Sequence, residues 1–327
     1  MRKAAWILAT LFGLVFVGAT LLNAELVARS RSALAAAGLM GAPPAPEARF
    51  HLLVILPDSD DAFFTHLLEG LEAGAPAAGA ALQVERYAAS SSTEADRWFD
   101  IGLRAGVDGL VMYAARGDDV AGRAALAQAA GVAFVAVGKD APSGSLPCFI
   151  GSASLIQGSQ GGALIAGRLK GGARVGLILP SDRFEGPGEN ILYRGVAASM
   201  AIYSGARIVA TAWSQPGILS GEEAAASLLR GHPDINAIFC ANSRDTLGAA
   251  QVLVDQNLVG RILLVGADET PELLRYLEKG VIAASVVRDS RRIGEEALRA
   301  FAAMKAGRKA PGIVEVDSVV RLPGAKE

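Results

Sequence analysis

The chain has 327 residues, of which 51% are hydrophobic and 20% charged, and its net charge is −2. That length suits two lobes of about 100–150 residues each, and the near-neutral balance excludes a basic field for nucleic acid to follow. His51, His66 and His232 are too scattered for a metal cluster, and Cys148 and Cys240 form no CxxC pair. Lone cysteines at strand ends are usually small buried hydrophobes, although an oxidising compartment leaves a disulfide open.

Ala4–Leu22 carries no charge and follows Arg2-Lys3. It is long for a signal-peptide core of about 7–15 residues and long enough to span a bilayer of about 30 Å. The flanking positives place the N-terminus inside. Leu22 is bulky for a cleavage site after Ala24, so the segment is expected as an uncleaved anchor, with a cleaved signal as the other reading. Both readings export the rest of the chain. Residues 1–24 are thus an anchor or signal segment, and residues 25–48 an Ala/Pro-rich linker in which Pro43, Pro44 and Pro46 forbid helix and ladder.

From Phe50 onward, short apolar strands alternate with helical stretches. Strands are expected at Phe50–Leu56, Leu82–Tyr87, Gly109–Tyr113, Ala133–Val137 and Cys148–Ser152. Helices fall between them, with Pro76 ending the first one early. After a turn-rich break at Ser143–Pro147 the alternation restarts, with strands at Arg174–Leu179, Arg207–Trp213, Ala237–Ala241, Ile262–Gly266 and Ala283–Val287. A last long helix covers Arg291–Ala306, and Gly312–Leu322 is extended. This alternation means βαβ units and parallel sheets. The fold class is α/β, with two doubly wound Rossmann-like lobes preceded by an N-terminal hydrophobic helix.

Open parallel sheets bind ligands beyond the carboxyl ends of their strands. Asp268 and Arg288 follow two such ends, where they either hold a ligand or pair with each other. Lys139 follows a third. Asn242 follows a fourth, where it faces a ligand or caps the next helix. Asp58, Asp60 and Asp61 crowd the first strand end and read as solvated loop carboxylates rather than a cation site. Phe63 and Phe64 open the first helix; adjacent aromatics there cannot both face one core, so one is expected to line the cleft. Gly186-Pro187-Gly188 reads as a plain turn, since it lies past a strand end and lacks the third glycine of a phosphate loop. No motif supplies a nucleophile with a base, and none indicates a cofactor or metal.

Several stretches together resemble the type I periplasmic binding proteins, specifically the ribose/galactose-type sugar-binding proteins that share a fold with the effector domains of LacI-type repressors. They are Asp61-Ala62-Phe63-Phe64, Phe239-Cys240-Ala241-Asn242 with Leu247-Gly248-Ala249, Val265-Gly266-Ala267-Asp268, and the run from Gly280 to Arg288 followed by Ile293-Gly294. The resemblance implies two lobes joined by a three-crossover hinge, with a sugar trapped between them. It divides residues 49–327 into a first lobe of about 50–152 and 289–310, and a second of about 153–288 and 311–327. It marks Asp61, Phe63, Phe64, Lys139, Asn242, Asp268 and Arg288 as ligand-binding positions. The family's Asp-Arg falls on Gly138-Lys139, its Asp-Asn on Ala153-Ser154, a ligand arginine on Leu192, and a glutamine on Arg288.

The resemblance therefore implies an exported, membrane-tethered solute-binding protein without cofactor. It would capture a sugar or sugar derivative for an ABC permease or a membrane sensor. Lys139 and Arg288 shift the expected pocket toward positive, which favours a ligand with an acidic group such as a sugar acid. The alternative is a degenerate binding lobe serving as a structural or receptor-interaction module. A repressor effector domain is excluded because a spanning segment stands where a DNA-binding unit would be.

Overall fold

The structure is a computed structural model that describes residues 48–59, 61–88, 92–115, 117–142, 146–170, 172–180, 190–215 and 219–324. The expected Ala4–Leu22 anchor, nearly all of the 25–48 linker, Asp60 and the Gly186-Pro187-Gly188 turn lie outside the described residues. Among the described residues no helix is long and apolar enough to cross a membrane, and no group of three or more His, Cys, Asp or Glu could hold a metal.

The first lobe opens with β1 (Phe50–Asp58), α1 (Ala62–Ala78), β2 (Ala80–Ala88), α2 (Ser92–Ala105), β3 (Gly109–Tyr113), α3 (Val120–Ala129), β4 (Ala133–Gly138) and β5 (Cys148–Gly151). The second contains α4 (Ser154–Arg168), β6 (Arg174–Pro180), α5 (Ile191–Met200), β7 (Arg207–Ser214), α6 (Ser220–Gly231), β8 (Ala237–Cys240), α7 (Ser243–Asp255), β9 (Leu263–Ala267), α8 (Pro271–Glu278) and β10 (Ala284–Arg288). The chain then runs through α9 (Ser290–Lys305), β11 (Gly312–Glu315) and β12 (Ser318–Arg321). The strand orders are β11-β5-β4-β3-β1-β2 and β12-β10-β9-β8-β6-β7. Every pairing is parallel except that of β10 with β12.

Strands buried on both faces carry apolar residues without a break. In β1, Leu52, Val54 and Leu56 pack into the layer of α1 and α9, while Leu53 and Ile55 pack into the layer of α2 and α3. In β6, Val175, Leu177 and Leu179 face one layer and Ile178 the other.

The chain crosses between the lobes after β5, after β10, and between β11 and β12. Helix α9 packs on α1, β4 and β5. One boundary needs correction. The expected second lobe includes all of residues 311–327, yet β11 pairs with β5 of the first, so the last crossing falls at Val316-Asp317. Extended segments carry no signal for which sheet they join, because that choice is tertiary. Pro76 also does not end α1 early. It sits in the last turn, where it forfeits one backbone bond, and the helix closes at Gly79 with φ 64° and its N–H donating to the Ala75 and Pro76 carbonyls. Cys148 and Cys240 are both free and buried, and burial pushes the Cys148 thiol up to about 12.

The same device brings one helix pair together in each lobe. A Cβ on Gly70 of α1 would lie 1.9 Å from the Arg291 carbonyl oxygen, and one on Gly294 of α9 would lie 2.3 Å from that of Leu67. In the second lobe, Gly158 and Gly195 would each meet a backbone oxygen of the facing helix at 2.2 Å. Gly70→Ala is therefore expected to destabilise the protein by about 1–3 kcal/mol through forced separation of α1 and α9. Gly231→Ala, at a helix position with nothing within 4 Å, should be neutral or slightly stabilising. Urea denaturation of both variants checks the contrast; a Gly70→Ala variant as stable as Gly231→Ala would show that close approach of α1 and α9 does not decide.

Candidate functional site

The carboxyl ends of the first sheet gather one charged and aromatic group. Asp61 caps α1, its Oδ1 accepting from the Phe63 N–H at 3.0 Å. Lys139, just past β4, donates through Nζ to Asp61 Oδ2 at 2.5 Å. The ammonium also stands 5.3 Å from the Phe63 ring centroid and 5.8 Å from that of Phe64. Tyr113, the last residue of β3, meets both rings edge-to-face, at 6.4 Å from Phe63 and 5.0 Å from Phe64. Phe63 and Phe64 both belong to the core cluster, which corrects the expectation that only one would. In the first turn of α1 the rings lean over the sheet edge at 87° to each other, so Tyr113 packs against both.

The second lobe presents Asp268 and Arg288. Asp268 follows β9 with φ 60°, a conformation that costs a non-glycine residue energy. Three hydrogen bonds hold the segment. The Asp268 N–H donates to the Val286 carbonyl at 3.1 Å, Ser285 Oγ donates to the Asp268 carbonyl at 2.6 Å, and Arg288 Nε donates to Asp268 Oδ1 at 2.9 Å. Arg288 Nη2 reaches Asp268 Oδ2, so the pair is bidentate. The guanidinium lies 5.3 Å from the Phe63 centroid. Of the seven sequence-derived positions, Asp61, Phe63, Phe64, Lys139, Asp268 and Arg288 thus converge.

Asn242 shares no hydrogen bond with these six residues. It caps α7, with Oδ1 accepting from the Asp245 N–H at 2.8 Å and Nδ2 donating to Asp245 Oδ2 at 2.7 Å. Asp245 is a fully buried carboxylate that sequence reasoning missed, although its place three residues after a capping Asn is the reciprocal-cap signature. Ser214 Oγ also donates to its Oδ2 at 2.6 Å, whereas Oδ1 accepts no hydrogen bond and lies 3.8 Å from Arg244 Nε. Asp140, equally unforeseen, spans the first crossover. Its Oδ1 accepts from the Ser154 N–H at 2.8 Å and its Oδ2 from the Ser154 hydroxyl at 2.6 Å, at the start of α4.

These pairings remove the expected positive excess. Burial works to raise the Asp61 carboxyl, but attraction to Lys139 and Arg288 and the hydrogen bonds outweigh it and hold the group well below the usual range. Burial likewise opposes the Arg288 charge, and Asp268 more than restores it. Burial raises Asp140 and Asp245, with hydrogen bonds offsetting only part of the effect.

The last shift sets a pH test. An acid whose folded pKa exceeds its unfolded value of about 3.9 contributes stability below that value and loses it as pH rises through the folded pKa. Asp245→Asn keeps an acceptor for Ser214 and Asn242 while removing the charge. It is expected to be at least as stable as the wild type at pH 8, with an advantage that shrinks as pH falls toward 4. Urea denaturation at both pH values measures this. A pH-independent difference would mean that ionisation of Asp245 carries no weight.

A sequence profile described as a periplasmic binding protein domain matches residues 52–309. The chain is 27% identical over 184 residues to the D-allose-binding periplasmic protein of Escherichia coli, a match covering 54% of this chain and 58% of that protein. It is 26% identical over 250 residues to the ribose import binding protein RbsB of Bacillus subtilis, covering 76% and 79% of the two chains. Among solved structures, GanP, a glucose-galactose binding protein from Geobacillus stearothermophilus, superposes with a TM-score of 0.72 at 25% identity, covering 84% of this chain and 97% of its own.

Proposed function

The chain belongs to the periplasmic binding protein domain family, and from that premise we propose that it is an extracytoplasmic solute-binding protein capturing a sugar or sugar derivative between its lobes. The observation that carries this reading is the convergence of Asp61, Phe63 and Lys139 of the first lobe with Asp268 and Arg288 of the second. Groups from both lobes that contact one ligand favour the closed arrangement by their differential affinity. The protein acts by binding rather than by turnover. The relatives named for allose, ribose, glucose and galactose support a hydroxylated ligand.

Lys139 and Arg288 each have a carboxylate partner, so the basis for an acidic ligand falls away and a neutral sugar is the better fit. Affinity then comes from hydroxyl hydrogen bonds to Asp61 and Asp268 and from contact with the Phe63 and Phe64 rings. Ala4–Leu22 tethers the protein, and an ABC permease or a membrane sensor receives it. A second reading is a structural or receptor-interaction module without a sugar. It is favoured by the cations of the chain itself standing over Phe63.

A thermal-shift screen of the chain against matched neutral sugars and sugar acids separates these readings. A ligand at 100 times its dissociation constant should stabilise by about 2.7 kcal/mol, and a neutral sugar is expected to give the larger shift. A panel in which no sugar moves the melting temperature would favour the module. The tether is tested separately by the mature membrane-bound protein, which should keep its N-terminus through Leu22. A soluble mature form starting near Glu25 would sink the anchor while leaving export intact.

A further inference from the structure

Arg288 stands where the lobes join. It is the last residue of β10 in the second sheet, and the next residue, Asp289, caps α9, which packs on the first lobe. Its side chain is held on one side by the bidentate carboxylate of Asp268 and faces Phe63 of the first lobe on the other. Asp61 of the first lobe lies within electrostatic reach of the same guanidinium. Arg288, Asp268 and Phe63 are 3%, 2% and 1% exposed. The groups that bury this cation are thus groups of the chain itself, drawn from both lobes. A ring face carrying a guanidinium is not open to stack on another solute.

We propose that the Asp268–Arg288 arm is a latch that closes the lobes without a ligand, with the guanidinium taking the face of Phe63 on which a ligand would otherwise stack. Opening the lobes parts the guanidinium from Phe63 and Asp61 and exposes them to water. A ligand enters by competing with Arg288 for that face, and so meets a cleft that is closed by default. The strained backbone at Asp268 fits this role. Its φ of 60° is kept by bonds to Val286 and Ser285 of the strand that carries Arg288, so acid and base move as one piece. The latch rests on the two-lobed fold and not on sugar capture.

The test is a distance measurement by pulsed electron paramagnetic resonance on the full chain in nanodiscs. Nitroxide labels are attached at Arg97→Cys on α2 and Ser227→Cys on α6. Both positions are exposed and follow the edge strands β2 and β7, which lie at the opposite sheet edges from the crossovers. Cys148 and Cys240 are buried and do not compete for the label. Bound solute is removed by exhaustive dialysis and its absence checked by mass spectrometry.

The otherwise unaltered protein is expected to give one narrow, short distance distribution with no ligand added. The paired variant Asp268→Asn with Arg288→Gln leaves no unpaired buried charge and should shift the distribution to longer distances. Phe63→Leu keeps the partners of both ion pairs and an apolar side chain in the core, takes away the ring that faces Arg288 together with its contacts to Lys139, Phe64 and Tyr113, and should shift it in the same direction. A long distribution in the unaltered chain, or an unchanged short one in both variants, overturns the latch. If the paired variant loses its far-UV circular dichroism, Phe63→Leu alone decides. Because no sugar is present, this result and that of the thermal screen stand or fall separately.

Discussion

A guanidinium that is 3% exposed keeps its charge, and the fold bears a heavy cost unless a counter-charge lies beside it. The effective cost of removing such an ion from water is several kcal/mol, and close, well-oriented hydrogen bonds are needed to offset it. Asp268 supplies them. A turn through positive φ just past β9 accompanies the meeting of its carboxylate with Arg288 at the end of β10. The same condition organises the opposite wall, where Lys139 is matched by Asp61. What remains between the lobes is a set of pairs rather than a charged pocket.

Much of this architecture was legible in the sequence because period and punctuation are local. Unbroken apolar runs marked the strands buried on both faces, and charged residues just past them marked the sheet edge where Asp61, Lys139, Asp268 and Arg288 gather. Pairing was not legible in the same way. Whether Arg288 turns to Asp268 or into an open cleft depends on the separation of two strand ends, which no periodicity encodes. The resemblance supplied positions rather than roles, and of the two roles the sequence left open for Asn242 the cap of α7 is the one its amide fills. Gly312–Glu315 was assigned to the wrong lobe because an extended segment gives no hint of the strand it joins.

Two misses had signals in the sequence. Asp245 follows a capping Asn by three residues, so its backbone N–H was due to meet that side chain. Pro76 stands three residues before a glycine, and a proline so close to a left-handed C-cap can end a helix without breaking it. Asp140 had no such signal. Its target, Ser154, begins a helix of the other lobe across a turn-rich crossover, and only the folded chain brings the two together.

The hinge follows from these residues taken together. Asp140, from the end of the first sheet, holds the first turn of α4, so the first crossover is tied by side chain as well as by backbone. Arg288 and Asp289 lie at the second crossover, one paired into the second lobe and the other capping a helix of the first. Both passages are therefore held by side-chain hydrogen bonds as well as by backbone. Where the family resembled here has a neutral glutamine, this chain has a cation that its own Asp268 must neutralise. Part of that carboxylate's hydrogen-bonding capacity is thus committed before any ligand arrives. On the proposed reading, recognition then rests on its remaining lone pairs and on ring surface. On the proposed reading an uncharged solute fits such a cleft better than an acidic one, because it calls on neither cation to leave its carboxylate partner.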